Sequence, residues 1–155
     1  PEVLINGDHS IEDCNNVTRT TLKSLFDELS SIGIYLPGVI LKPSMVISGD
    51  KNSNRANYET VAEMTVKCLK DICPKDLGGI AFLSGGQTND EATNHLNLMN
   101  SGKYDLPWRV TFSYARAIQQ SALNTWSGKD ENHDSAQTIL SERAKLCSEA
   151  SIGNS

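Results

Sequence analysis

The stretch Gly78-Gly79-Ile80-Ala81-Phe82-Leu83-Ser84 decides the fold of this chain. Its centre is an uninterrupted apolar run, with glycines before it and a serine at its end. A short apolar run between turn residues predicts a buried β-strand. Two further stretches have the same form, GVILKP at 38–43 and WRVTFS at 108–113. They predict two more strands of the same kind.

Helical patterns separate these strands. Apolar residues recur at three- and four-residue spacing in five segments, which predict helices over residues 10–33, 58–72, 89–99, 115–126 and 132–148. Ser10 is the predicted N-cap of the first helix, and Gly33 is its predicted stop. Strands that alternate with helices predict an α/β fold with a parallel sheet. We expect the small, polar tail SIGNS at 151–155 to fray.

The number of strands is too small for a complete fold of this kind. Each predicted strand is apolar almost throughout, which predicts that helices or other strands cover both of its faces. Three strands, with a strand end at Glu2, cannot close a barrel, and a complete eight-stranded α/β barrel takes about 250 residues. The opening PEVLING also has the character of interior sequence. We therefore expect the front of the protein to be missing from these residues.

Composition excludes several functional classes. The chain has 155 residues, 38% of them hydrophobic, and a net charge of −5. That charge argues against general binding to nucleic acid or anionic membrane, and no apolar run is long enough to span a bilayer. No leader-like segment stands at the start. Zinc-type spacing is lacking among the cysteines, so we expect reduced, packed thiols in a reducing compartment at Cys14, Cys68, Cys73 and Cys147.

Polar side chains stand where the predicted strands end. Glu2, Lys42, Ser84 and Ser113 occupy four such ends, and Arg116 follows three residues after Ser113. In parallel α/β proteins the carboxyl-terminal edge of the sheet carries the active site. Lys42 has two interpretations at this edge. It is either a lysine that extends into solvent, or a desolvated amine that attacks a ketone.

The segment Ser84-Gly85-Gly86 predicts an anion site. Two glycines between a strand and a helix let the backbone approach an anion closely, and the helix N-terminus adds N–H donors. Arg116 begins the next helix, within reach of the same anion. The sequence LSGGQ at 83–87 also matches the signature of ABC-type ATPases, but the phosphate loop that such enzymes require, G-x-x-x-x-G-K-[ST], is not found in the chain. We therefore interpret LSGGQ as a phosphate-facing turn.

Other polar residues carry no predicted chemistry. The acidic stretch from Gly7 to Asp13 is explained better as a polar turn that leads into a helix than as a metal site. His95 and His133 lie on predicted helices without partner patterns, and we assign them no role.

Four stretches together resemble the class I, Schiff-base fructose-bisphosphate aldolases. They are PEVLINGDH at 1–9, IYLPGVILKPSMV at 34–46, IAFLSGGQ at 80–87 and WRVTFSYARAIQQSALNTWSGK at 108–129. The resemblance runs along almost the whole chain, in the family's order. It implies that residues 1–155 are the C-terminal part of one barrel domain, a parallel (β/α)8 TIM barrel of which this chain supplies about half.

The resemblance also implies a function. The family is a metal-independent lyase of glycolysis and gluconeogenesis that needs no cofactor. It cleaves fructose 1,6-bisphosphate into dihydroxyacetone phosphate and glyceraldehyde 3-phosphate, usually as a homotetramer. The expected compartment is the cytoplasm, with an organelle stroma as the alternative. A catalytically inactive sugar-phosphate-binding or scaffolding homologue is the alternative function.

Site residues follow from the resemblance position by position. Lys42 matches the Schiff-base lysine, and Glu2 matches an active-site carboxylate near it. The loop Ser84-Gly85-Gly86 matches the loop that holds a substrate phosphate, and Ser113 and Arg116 match further phosphate contacts. The family's main acid/base carboxylate does not occur in these residues. The sequence departs from the family at Asn6 and Ser44, where Asp and Asn are common, and at Ala115, where Gly is common; a left-handed backbone at that position would strain alanine.

Overall fold

The first helix shows how local sequence sets the element boundaries. The structure, a computed structural model that describes residues 1–154, begins helix α1 at Ile11 and ends it at Ser31. The Ser10 hydroxyl accepts from the Asp13 N–H at 3.0 Å, and the Asp13 carboxylate accepts from the Ser10 N–H at 3.1 Å. This reciprocal capping box satisfies two amides that a helix start otherwise leaves unpaired. Gly33 follows the helix with φ +70°, so the predicted cap and stop are both confirmed.

The other predicted helices are also confirmed, to within a residue or two. They are α2 (Tyr58–Ile72), α3 (Asn89–Asn100), α4 (Arg116–Trp126) and α5 (His133–Ala150). The strands lie between them as predicted but are shorter, namely β1 (Ile40–Leu41), β2 (Gly79–Phe82) and β3 (Val110–Phe112).

The three strands form one parallel sheet in the order β1-β2-β3. Leu41 pairs with Ile80, and Ile80 pairs with Val110, so these three side chains lie in one row on the same face of the sheet. All three are buried in the core with residues of the helices. The parallel α/β architecture predicted from the alternation of strands and helices is therefore confirmed.

Only one face of the sheet is covered within residues 1–154, as expected of three strands that cannot close a barrel. Ile40 points away from the helices and is 60% exposed, and Lys42 on the same face is also exposed. Ala81 and Thr111, which continue the row of Lys42 across the sheet, are only half-buried. The strands are apolar on both faces, but residues 1–154 cover only the face that carries the helices.

Two predictions about the ends of the chain need correction. Residues 1–9 contain no strand. Their carbonyls accept four backbone bonds from the residues after β1, but the partners do not follow one another as in a strand ladder: Ser44 donates to Pro1, Gly49 to His9, Asp50 to Ile5 and Lys51 to Gly7. The expected fraying is not seen for 151–154, where Ser151, Ile152, Gly153 and Asn154 donate backbone bonds to the end of α5. Ser155 lies outside the described residues.

Candidate active site

The carboxyl ends of the three strands lie side by side. Backbone contacts continue the strand pairing past the strands themselves: the Leu83 N–H donates to the Pro43 carbonyl at 3.0 Å, and the Ser113 N–H donates to the Phe82 carbonyl at 2.8 Å. Lys42, Ser84 and Ser113 therefore follow adjacent strands at one edge of the sheet. Lys42 and Ser113 are exposed, whereas Ser84 is buried.

Glu2 reaches the same edge from the first residues of the chain. The Val3 N–H donates to the Ser44 hydroxyl at 3.2 Å, and the Pro1 carbonyl accepts from the Ser44 N–H. A Cβ built on Gly85 would stand 3.4 Å from the Glu2 Oε1. Ser44, where the family often has Asn, thus anchors the segment that carries Glu2 beside the glycine turn.

The turn at Gly85 and Gly86 requires glycine for two reasons. Both residues have left-handed backbone, with φ +58° and +83°, which costs an L side chain free energy. A Cβ on Gly86 would also lie 2.8 Å from the Ile5 Cγ2. Within residues 1–154 the N–H groups of both glycines donate to no acceptor of the chain, so they are free to bind an anion.

The start of helix α3 offers fewer free N–H donors to this turn than the sequence predicted. Its start is closed by a second capping box: the Glu91 N–H donates to the Thr88 hydroxyl, and the Thr88 N–H donates to the Glu91 carboxylate. These two donors at the helix start are therefore already used. The free donors of the turn are the glycine amides.

Arg116 adds the positive charge. Its Nη2 lies 3.9 Å from the position of a Cβ on Gly86, and a cavity of about 290 Å³ is lined by both residues together with Gln87, Thr88, Asn89 and Gln120. The structure thus brings Arg116 to the glycine turn, while Lys42 and Ser113 do not line this cavity. Ala115 has φ −102°, so alanine is unstrained there.

Comparison with known proteins identifies the family of this arrangement. The family model "Fructose-bisphosphate aldolase class-I" matches residues 1–155. A protein of Xanthomonas campestris described as "probable fructose-bisphosphate aldolase class 1" is 52% identical over 155 residues, which cover 99% of this chain and 46% of that protein. The chain belongs to the class I fructose-bisphosphate aldolase family.

Further aldolases show the same partial coverage. Cytosolic fructose-bisphosphate aldolase 4 of Arabidopsis thaliana is 44% identical over 153 residues, covering 99% of this chain and 39% of that protein. A solved structure of Plasmodium falciparum aldolase, in complex with TRAP and a small-molecule inhibitor, has a TM-score of 0.94 at 43% identity and covers 99% of this chain and 44% of that one. The chain therefore spans somewhat less than half the length of these aldolases.

Two buried polar residues lie behind the glycine turn and the helix starts next to it, and no role was predicted for either. His95 on α3 lies 2.6 Å from the Gln87 Oε1, measured from its Nδ1. Arg143 on α5 is 8% exposed. Its Nη2 donates to the Asn89 carbonyl and the Thr93 hydroxyl, and its Nε donates to the Ala117 carbonyl.

Weak sequence signals existed for both residues. His95 is on the inward face of a predicted helix, eight residues after the LSGGQ glutamine, and Arg143 falls in a helix whose neighbours on the inward face are small or apolar. Their partners, however, are set by tertiary packing. Arg143 is 50 and 54 residues from its α3 partners.

The remaining predictions concern cysteines, metals and membranes. All four thiols are free and buried, as predicted for packed cysteines. Residues 1–154 contain no group of three or more His, Cys, Asp or Glu side chains that could hold a metal ion. No helix in this part of the chain is long and apolar enough to cross a membrane.

Proposed function

We propose that the protein containing this chain cleaves fructose 1,6-bisphosphate into dihydroxyacetone phosphate and glyceraldehyde 3-phosphate through a Schiff base on Lys42. The observation that carries the proposal is the shared edge. A lysine and a glycine turn with free amides follow adjacent strands, and a carboxylate and an arginine lie at the same turn, in a chain of the class I aldolase family.

The reaction begins at the ketone carbon of the substrate. The neutral Lys42 amine adds to this carbon, and uptake of one proton with loss of water gives a protonated imine, which withdraws electrons from the neighbouring carbon–carbon bond. A base removes the proton of the hydroxyl on the fourth carbon, the bond between the third and fourth carbons breaks, and glyceraldehyde 3-phosphate leaves. The enamine on Lys42 then takes a proton at the third carbon. Water hydrolyses the imine to dihydroxyacetone phosphate and the free amine.

The other residues hold the substrate and manage charge. Ser84, the Gly85 and Gly86 amides, Ser113 and Arg116 bind the phosphate next to the ketone, so that binding energy away from the reacting bond positions the carbonyl at Lys42. Glu2 orders protons and charge near the amine. The acid/base residue that the cleavage requires belongs to a part of the protein outside these residues.

The rest of the proposal concerns the whole protein. These residues contribute three strands to a (β/α)8 barrel, whose remaining strands cover the open face at Ile40 and Lys42. By family resemblance the protein is a homotetramer of the cytoplasm or an organelle stroma, and it needs no metal. An inactive sugar-phosphate-binding homologue is less well supported, because the relatives with 42–52% identity carry aldolase names.

Trapping the intermediate tests the proposal. Borohydride treatment of the full-length protein with dihydroxyacetone phosphate should add one reduced substrate to the peptide that contains Lys42, and Lys42→Met should abolish the labelling. A chelator should leave the cleavage rate unchanged. Labelling at another lysine would refute the assignment of Lys42, and activity that is lost to chelator and restored by zinc would refute the Schiff-base mechanism.

A further inference from the structure

The LSGGQ turn is held from its buried side by the amide of Gln87. Its backbone N–H and its side-chain Nε2 both donate to the Ser84 carbonyl, each at 3.0 Å. Gln87 and Ser84 are both buried. Two bonds onto one carbonyl fix the peptide that joins Ser84 to Gly85, and with it the direction of the first glycine amide.

These contacts determine the orientation of the Gln87 amide. The Ser84 carbonyl is an acceptor only, so the amide nitrogen must face it and the amide oxygen must face the other way. That oxygen lies 2.6 Å from the His95 Nδ1. Because an amide oxygen cannot donate, the His95 Nδ1 carries the hydrogen.

The other ring nitrogen of His95 is then an unpaired acceptor. The Nε2 is buried and has no hydrogen-bond partner among the described residues. His95 is 3% exposed, and its ring packs edge-on against Tyr58 of α2 with centroids 5.1 Å apart. A buried acceptor without a partner costs free energy. Packing alone would be served better by an apolar ring, so the position of histidine here points to the bond made by its Nδ1.

We propose that His95 is a positioning residue for the phosphate turn: its Nδ1–H holds the Gln87 amide, and that amide in turn orients Ser84 and the Gly85 amide toward the phosphate. This inference rests on the proposed function, because it assigns a phosphate to the turn. It gives His95 no contact with substrate. The chain of contacts runs from α2 through His95 and Gln87 to the anion site.

Two variants of the full-length protein separate the hydrogen bond from the packing. His95→Phe keeps a ring against Tyr58 but cannot donate, whereas His95→Asn loses the ring and retains a donor near the position of Nδ1. We expect His95→Phe to raise the KM for fructose 1,6-bisphosphate about 3- to 10-fold, the effect of one neutral hydrogen bond. His95→Asn should recover most of this loss. Borohydride trapping of the non-phosphorylated ketone dihydroxyacetone on Lys42 should be equally fast in both.

The outcomes distinguish this inference from the proposed function. Folded His95→Phe with an unchanged KM, or folded His95→Asn as impaired as His95→Phe, would overturn it. If His95→Phe fails to fold, Gln87→Met removes both side-chain bonds at nearly constant volume, and an unchanged KM in folded Gln87→Met would overturn it equally. Calorimetric binding of the bisphosphate, measured with each variant combined with Lys42→Met, compares the variants without turnover. If the parent protein binds the bisphosphate but does not cleave it, the proposed lyase activity alone is refuted. If the parent protein binds no bisphosphate, both the proposed function and the role of His95 are refuted.

Discussion

A single side chain, Arg116, supplies the positive charge of the proposed phosphate site, since the neighbouring donors at Ser84, Gly85 and Gly86 are neutral. A hydrogen bond from a charged donor contributes about 1.5–3 kcal/mol. Arg116→Ala in the full-length protein should therefore weaken binding of fructose 1,6-bisphosphate about 10- to 100-fold, as measured by calorimetry in proteins that also carry Lys42→Met and cannot turn the substrate over. In Arg116→Ala alone, dihydroxyacetone should still form a trapped adduct with Lys42.

An exposed cation outside the site serves as the matched control for this change. Lys129→Ala removes the same formal charge, and Lys129 lies in the exposed segment after α4. It should leave the affinity within about twofold. Equal losses in the two variants would mean that Arg116 acts only through net charge, and intact affinity in Arg116→Ala would remove it from the phosphate site.

His95 should also contribute a pH dependence to stability. Burial lowers its pKa to about 4 from a usual value of 6.5; the carboxylate of Glu91 opposes this shift and the Arg55 guanidinium adds to it. The unfolded chain then binds the proton at a higher pH than the folded chain. The stability that neutral His95 provides is full above pH 6.5, falls as the pH drops through this window, and is lost below about pH 4.

Comparison with a variant that does not titrate isolates this effect. The free energy of unfolding of the full-length protein, minus that of His95→Asn, should fall between pH 6.5 and 4 by at most about 1.4 kcal/mol per pH unit. Titration of Glu91 is common to both proteins and largely cancels. Parallel pH profiles for the parent protein and His95→Asn would show that His95 is not held neutral.

At the scale of elements, Arg143 joins α5 to the starts of α3 and α4. It donates to three acceptors at 2.8–3.2 Å, on Asn89, Thr93 and Ala117. Arg143→Met keeps much of the length of the side chain and removes all three hydrogen bonds. We expect it to lower the free energy of unfolding by about 2–4 kcal/mol, because it removes three hydrogen bonds made by a buried, charged side chain, and denaturant titration measures this. Lys145→Met on the exposed side of α5 should lower the free energy of unfolding by less than about 0.5 kcal/mol. Equal losses in the two variants would show that the contacts of Arg143 do not hold the three helices together.

Element boundaries were predictable where the chain itself supplies the partner. Ser10 and Asp13 cap each other across three residues, and Gly33 follows the helix with the left-handed backbone that its sequence position suggested. Strand lengths were less predictable, because a strand extends only as far as its neighbour pairs with it, and β1 pairs over two residues.

The residues of the candidate site also differ in how far the sequence alone predicted them. The predicted strand ends marked Glu2, Lys42, Ser84 and Ser113, with the glycines and Arg116 close behind, and the family resemblance added the role of each. The contacts of His95 and Arg143 could not be derived from spacing, because they join residues of different elements or of a loop and a helix whose relative placement depends on packing. The open face of the sheet was predictable from the number of strands, because three strands cannot close a barrel.

At the scale of the molecule, the uncovered sheet face predicts that these 155 residues do not fold stably alone. Ile40 is 60% exposed on that face, and β1 and β3 are both edge strands. Unpaired edges and apolar faces favour association. The isolated chain should elute as aggregate or melt without a cooperative transition, in size-exclusion chromatography and circular dichroism.

Co-expression with the N-terminal part of the full-length protein provides the control. If the missing strands cover the open face, the two pieces should co-purify and melt cooperatively. A sharp melt of the isolated chain as a monomer would instead show a self-sufficient domain, and the barrel proposal would be wrong.

The four buried thiols allow the rate at which the surrounding helices open to be measured. Burial raises the pKa of Cys68 to about 11 and that of Cys73 to about 12, so at neutral pH few of these thiols are thiolates and none is within reach of an alkylating reagent. Alkylation must then wait for the surrounding helices to separate, and its rate reports how often they do. Mass spectrometry of timed iodoacetamide labelling should show Cys68 on α2 and Cys73 directly after α2 reacting together, because one opening exposes both. Rapid labelling of either one in the intact protein would show that α2 opens locally.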